Sequence, residues 1–148
     1  MADDTMYSKI LVPVDLEHAD RLDKALATAA GLARSQDAEL CFVAVCGKVP
    51  NRVAPDPERF AAELSLFARE QGDRFGVETS SLVKESNDPG ADLDDKLLEA
   101  IDETGADLVV MASHIPGVAD RLHLISSNAA WIVKHTRVSV FVVRSGED

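Results

Sequence analysis

The run Ser126-Ser127-Asn128 stands just ahead of Ala129, Ile132 and Val133, three apolar residues at helical spacing. Side chains of this kind open helices, because their oxygens accept from the N–H groups that the first turn leaves without partners. The same N–H groups, at the positive end of the helix dipole, hold small anions. Arg121 lies earlier in the same loop and carries a guanidinium that can reach a phosphate. Capping and anion binding use the same atoms, and the sequence leaves both open. Asp15 follows the apolar run Lys9–Val14 and is equally two-sided. Its carboxylate can accept from a ribose or a base N–H, or help to hold Mg2+ near phosphates, and it can also cap the turn after it. His114, at the end of another apolar run, reads as a ligand contact or as a hydrogen-bonded structural residue.

Covalent and metal chemistry find less support. No G-x-S-x-G elbow, H-x-x-x-H pair, C-x-x-C pair or Walker A lysine occurs, so acyl transfer and metal hydrolysis lack their groups and ATP turnover would be slow at most. No protein-only metal site is expected. Cys41 and Cys46 lie five apart on one extended segment and point to opposite faces, which suits two small core side chains better than a redox pair.

The elements that must position these residues follow from the apolar period. Lys9–Val14 (KILVPV), Glu39–Cys46 (ELCFVAVC), Val77–Lys84, Asp107–Ala112 (DLVVMA) and Val138–Arg144 (VSVFVVR) read as strands, the first a near-continuous apolar run suited to a doubly covered parallel strand. Helical spacing joins Leu22, Ala25, Leu26, Ala29, Leu32 and Ala33; then Phe60, Leu64 and Phe67; then Leu93, Leu97, Leu98 and Ile101. Asp56 and Pro57 predict the start of the second helix, Gly76 and Gly105 the ends of the second and third, and Asn87-Asp88-Pro89-Gly90 a turn. Five strands alternating with four helices predict an open α/β sheet of right-handed crossovers. Ligands of such sheets sit outside the carboxyl ends of the strands, where strand order reverses. That places the candidate site at Asp15, near Val45 and after Ala112.

At 148 residues and 46% apolar content the chain is expected to form one domain, 1–148. No apolar window approaches the ~18 residues of a membrane span, and MADDTMYSK lacks the basic start and apolar core of a secretory signal, so a soluble, cytoplasmic protein is expected. The net charge of −11 disfavours nucleic acid and anionic membranes as partners. The charge is unevenly spread. Residues 1–111 carry 11 basic against 23 acidic side chains, whereas 112–148 carry 4 against 3 together with His114, His123 and His135. A small anion meets least repulsion there. His123 reads as loop surface and His135 as a helix C-terminal residue. Trp131 and Tyr7 read as packing residues or dimer contacts.

With these blocks in view, the chain resembles the universal stress protein family over nearly its whole length. The likeness rests on K-I-L-V-P-V-D (Lys9 to Asp15), Asp88-Pro89, A-D-L-V-V-M-A-S-H (Ala106 to His114) and S-V-F-V-V-R (Ser139 to Arg144), in that order and spacing. The resemblance implies a flavodoxin-like or adenine nucleotide α-hydrolase-like fold with strand order 3-2-1-4-5. It also implies a homodimer formed through the last strand, Val138–Arg144, and ATP binding, with or without Mg2+, through Gly-x-x-Gly and a later Gly-Ser. Carried onto this chain, Pro13, Val14 and Asp15 border adenine and ribose, and Val45 packs near the adenine. Ala112 and Ile115 take the places of the two glycines, and Ser126 and Ser127 that of Gly-Ser. Ile115 is β-branched where a positive φ would be needed. The loop is a residue longer than the motif, so Gly117 can supply the flexible position instead.

Two readings stand side by side. In one, a regulatory protein binds ATP or another adenine nucleotide, which orders the loop after Ala112 for a protein partner to read; Asp15, Ser126, Ser127, Asn128 and the local charge favour it. In the other, a dimeric interaction module keeps the fold without the nucleotide; Ile115, Pro116 and the longer loop favour that.

Overall fold

A computed structural model of the chain describes residues 5–50, 52–112 and 122–144, and of residues 122–128 the backbone alone. The apolar runs form strands β1 (Lys9–Pro13), β2 (Glu39–Cys46), β3 (Thr79–Glu85), β4 (Leu108–Ala112) and β5 (Ser139–Val143). All pairs are parallel, and the order is β3-β2-β1-β4-β5, as expected. Helices α1 (Asp23–Gln36), α2 (Pro57–Phe75), α3 (Pro89–Thr104) and α4 (Leu122–His135) connect them.

β1 lies between two cores, which is why its apolar residues are consecutive. Ile10 and Val12 pack with Leu26 and Ala29 of α1 and Leu64 of α2, while Leu11 packs with Leu97 and Ile101 of α3 and Ile132 of α4. Successive side chains of a strand point to opposite faces, so a strand covered on both sides must be apolar at every position. On the α1/α2 face Phe67 meets the Phe42 ring edge-on, with centroids 5.3 Å apart. Tyr7 packs against that core and its hydroxyl bonds Ser139 Oγ at 3.1 Å, while Trp131 packs on the other face.

The helix ends follow the expected chemistry. The Asp56 carboxylate accepts from Arg59 N at 2.8 Å, with Pro57 in the first turn. Gly76 (φ +70°) and Gly105 (φ +74°) end α2 and α3 in the left-handed conformation that glycine adopts without strain. The Asn87–Gly90 turn is the start of α3, where Asp88 caps Ala91 N. β3 begins at Thr79, two residues later than expected, because Val77 N still bonds Gly72 O in the cap of α2. A 3-10 helix, Leu16–Arg21, had no signature in the sequence, since none of its residues is buried and no apolar period marks it.

Leu64 is fully buried between α2 and the sheet. Leu64→Ala should therefore destabilise the fold by about 3 kcal/mol, a cavity term plus lost transfer energy. Denaturant unfolding measures this, and a loss below about 1 kcal/mol would show that α2 packs elsewhere.

Candidate functional site

β1 pairs with β2 from Lys9↔Glu39 to Pro13↔Val43, but with β4 only at Ile10↔Leu108 and Leu11↔Val109. The hydrogen bonds explain why. Val14 N donates to Val43 O, so even residues of β1 turn their backbone groups to β2. Asp107 N donates to Lys9 O, so odd residues turn theirs to β4. The next donor due to β4 is at position 13, and proline has no N–H. The ladder stops, β1 and β4 part, and a crevice opens at the reversal of strand order.

A cavity of about 620 Å³ occupies it. Its floor is the strand ends: Pro13 at the end of β1 with Val14 and Asp15 after it, Val45 and Cys46 on β2, Met111 and Ala112 on β4. Leu93 and Leu97 of α3 wall one side and Phe60 of α2 the other, and Glu17, Lys48 and Asn87 bring polar groups to it. A Cβ on Gly47 would stand 3.2 Å from Pro89 Cγ, so the loop leaving β2 passes close to the start of α3.

Val45 has its backbone turned into this space. Cys46 O accepts from Ser86 N, so even residues of this part of β2 face β3 and odd ones face β1. Val14 N to Val43 O is the last bond on the β1 side among the described residues. The N–H and C=O of Val45, the next residue of that parity, lie side by side at the cavity with no strand opposite them. Such groups are strong donors and acceptors that call for a partner.

Asp15 lines the cavity and is well occupied locally. One carboxylate oxygen accepts from Glu17 N at 3.1 Å and the other from His18 Nδ1 at 3.0 Å. The capping role open in the sequence is thus present, with oxygens that keep further lone pairs. Both cysteines are free and buried. Burial pushes the Cys46 thiol up from its ordinary range, with Glu85 adding to it, and burial likewise raises Cys41. Among the described residues no group of three or more His, Cys, Asp or Glu could hold a metal ion.

The structure brings Pro13, Val14, Asp15, Val45 and Ala112 together at one cavity. It corrects the position of the helix opening. α4 begins at Leu122, so Ser126, Ser127 and Asn128 lie inside the helix and their N–H groups belong to its internal ladder. Among the described residues, the amides that a helix starting at Leu122 leaves without helical partners are those of Leu122, His123 and Leu124. His123 is accordingly helical and not in a loop, while His135 is the last residue of α4, as expected. His114, Gly117 and Arg121 lie outside the described residues. Leu93, Leu97, Phe60, Met111, Lys48 and Asn87 were not read as site residues. Their apolar members are ordinary core positions by spacing, and only the Asp88-Pro89 start of α3, beside the strand ends, signalled that its first turns overlook a crevice.

A parallel α/β sheet with an apolar cavity at its reversal of strand order defines the doubly wound class that holds ligands at strand ends. The sequence model of the universal stress protein family matches residues 6–144, and the chain belongs to that family. It is 31% identical over 144 residues to universal stress protein G of Shigella flexneri, covering 94% of this chain and 100% of that protein. A crystal structure of a universal stress protein in complex with cAMP has a TM-score of 0.68 at 21% identity and covers 96% of this chain and 100% of its own. The universal stress protein from Archaeoglobus fulgidus in complex with dAMP has a TM-score of 0.63 at 20% identity, over 93% of this chain and 98% of its own. No helix among the described residues is long and apolar enough to cross a membrane.

If Pro13 is what ends the β1–β4 ladder, Pro13→Val should extend it by one bond and stabilise the fold by about 1 kcal/mol. Amide hydrogen exchange at position 13 reads this. A freely exchanging amide there would place the cause of the crevice elsewhere.

Proposed function

We propose that the crevice binds an adenine nucleotide, ATP with or without Mg2+ included, and that occupancy sets what a regulatory protein partner meets at its mouth. The observation that carries this is the paired N–H and C=O of Val45 in an apolar cavity of about 620 Å³. Adenine offers an N–H donor at N6 beside an acceptor at N1, the complement of that pair, while Val14 and Ala112 supply apolar surface to its faces. Asp15, which lines the same cavity, is the proposed acceptor for a ribose hydroxyl. Solved relatives in complex with cAMP and with dAMP support an adenine ligand for this fold. The phosphates would run toward the end of β4, and the proposed partners for them are His114, Gly117, Arg121, Ser126, Ser127 and Asn128, together with the opening amides of α4.

Guanine presents an acceptor at O6 and a donor at N1, the reverse of what Val45 can pair with. Calorimetry should therefore find AMP or ATP bound at least about tenfold more tightly than GMP or GTP, the cost of leaving buried polar groups mismatched. Equal affinities would remove Val45 from recognition, and no adenine nucleotide binding at millimolar concentration would favour the interaction-module reading.

Self-association is proposed through β5. It is an edge strand of the sheet, with Phe141 44% and Val142 36% exposed, the kind of edge that a second chain covers. Phe141→Asp should give monomers in sedimentation without unfolding, and an unchanged sedimentation profile would rule this edge out.

A further inference from the structure

We propose that His18 is a positioning residue for ribose recognition, acting through Asp15; this rests on the adenine nucleotide reading above. After β1 the chain is extended at Asp15 (φ −111°, ψ 103°) and then enters the 3-10 helix Leu16–Arg21. Capping that helix needs one carboxylate oxygen, and Glu17 N supplies that bond at 3.1 Å. The second oxygen is held as well, by His18 Nδ1 at 3.0 Å. A carboxylate only accepts, so the imidazole must donate from Nδ1, which selects one tautomer.

The backbone leaves helical geometry at the residue that makes this bond. His18 has φ −132° and ψ 33°, outside the helical region, and interrupts the 3-10 run at that residue, while its own N–H bonds Asp15 O at 3.0 Å. Residue 18 is thereby tied to residue 15 through both main chain and side chain. A cap alone would leave the carboxylate free to turn about its terminal torsion, which is broad and soft. With each oxygen bonded, its plane is set.

The lone pairs that remain are then aimed in fixed directions from a side chain that lines the cavity and is 39% exposed. A rigid two-oxygen acceptor reads two neighbouring hydroxyls, as ribose has and a dideoxy sugar lacks. His18 is 29% exposed and is not among the residues lining the cavity, so it acts on the ligand only by holding Asp15.

The test compares AMP with 2′,3′-dideoxy-AMP by calorimetry on the wild type, His18→Ala and His18→Asn. Asparagine places an amide nitrogen where the imidazole has Nδ1, so it keeps the donor and little else of the ring. The wild type should favour AMP. His18→Ala should lose about fivefold in AMP affinity with little change for the dideoxy compound, as expected when an acceptor to sugar hydroxyls is no longer held. His18→Asn should restore the preference, which a merely structural role for the ring would not predict. The proposal fails if His18→Ala keeps the wild-type preference or if His18→Asn behaves like alanine. A wild type that binds both compounds equally sinks the ribose role of Asp15 and leaves adenine binding standing. A wild type that binds neither sinks the nucleotide reading itself.

Discussion

The missing N–H of Pro13 is the constraint from which the site follows. Central strands of a parallel sheet pair on both edges along their length, and β1 does so only as far as Leu11↔Val109 on the β4 side. One further donor would continue the ladder, and the residue there cannot give it. The sheet therefore splits at its carboxyl end while the pairing of β1 with β2 runs on to Pro13↔Val43. Because the α1/α2 core and the α3/α4 core cover opposite faces, the split lies between two apolar walls and the cavity inherits their character.

Within such walls a few polar groups decide what is held. Hydrogen bonds gain strength where water is excluded, and unmet donors and acceptors cost correspondingly more. Val45 presents one of each from backbone that the sheet positions rigidly, so no side-chain entropy is lost in aiming them. Asp15 adds a carboxylate fixed by Glu17 N and His18. The site is thus built mostly from where strands stop, and only secondarily from which side chains they carry.

That construction explains what the sequence disclosed. Strands buried on both faces must be apolar throughout, so β2 was legible to the residue and β1 and β4 to within one at each end; β5, an exposed edge strand, was legible to within one by its β-branched and aromatic run. Asp56, Pro57, Gly76 and Gly105 marked helix ends because their cap chemistry is local. The 3-10 helix was invisible because none of its residues is fully buried and no apolar period marks it. The start of α4 was misplaced for a different reason: Ser126-Ser127-Asn128 is strong capping chemistry, yet Leu122 and Ile125 continue the spacing of Ala129 and Ile132 back through it, and the helix follows the longer apolar stripe. Of the residues that line the cavity, Asp15, Val45 and Ala112 were legible from their places at strand ends, and Pro13 and Val14 from the family resemblance. The Val45 backbone pair and the bond from His18 to Asp15 were not, since the first depends on ladder parity and the second on a non-helical backbone at one residue.

The amide resonance of Val45 reports directly on the proposed recognition of adenine by the main chain of β2. Titration of the isotopically labelled protein with AMP should move that resonance in the direction of a newly formed hydrogen bond and slow its exchange with solvent, and GMP should leave it in place. A Val45 amide that stays put while AMP binds, or that responds alike to both nucleotides, would contradict the account.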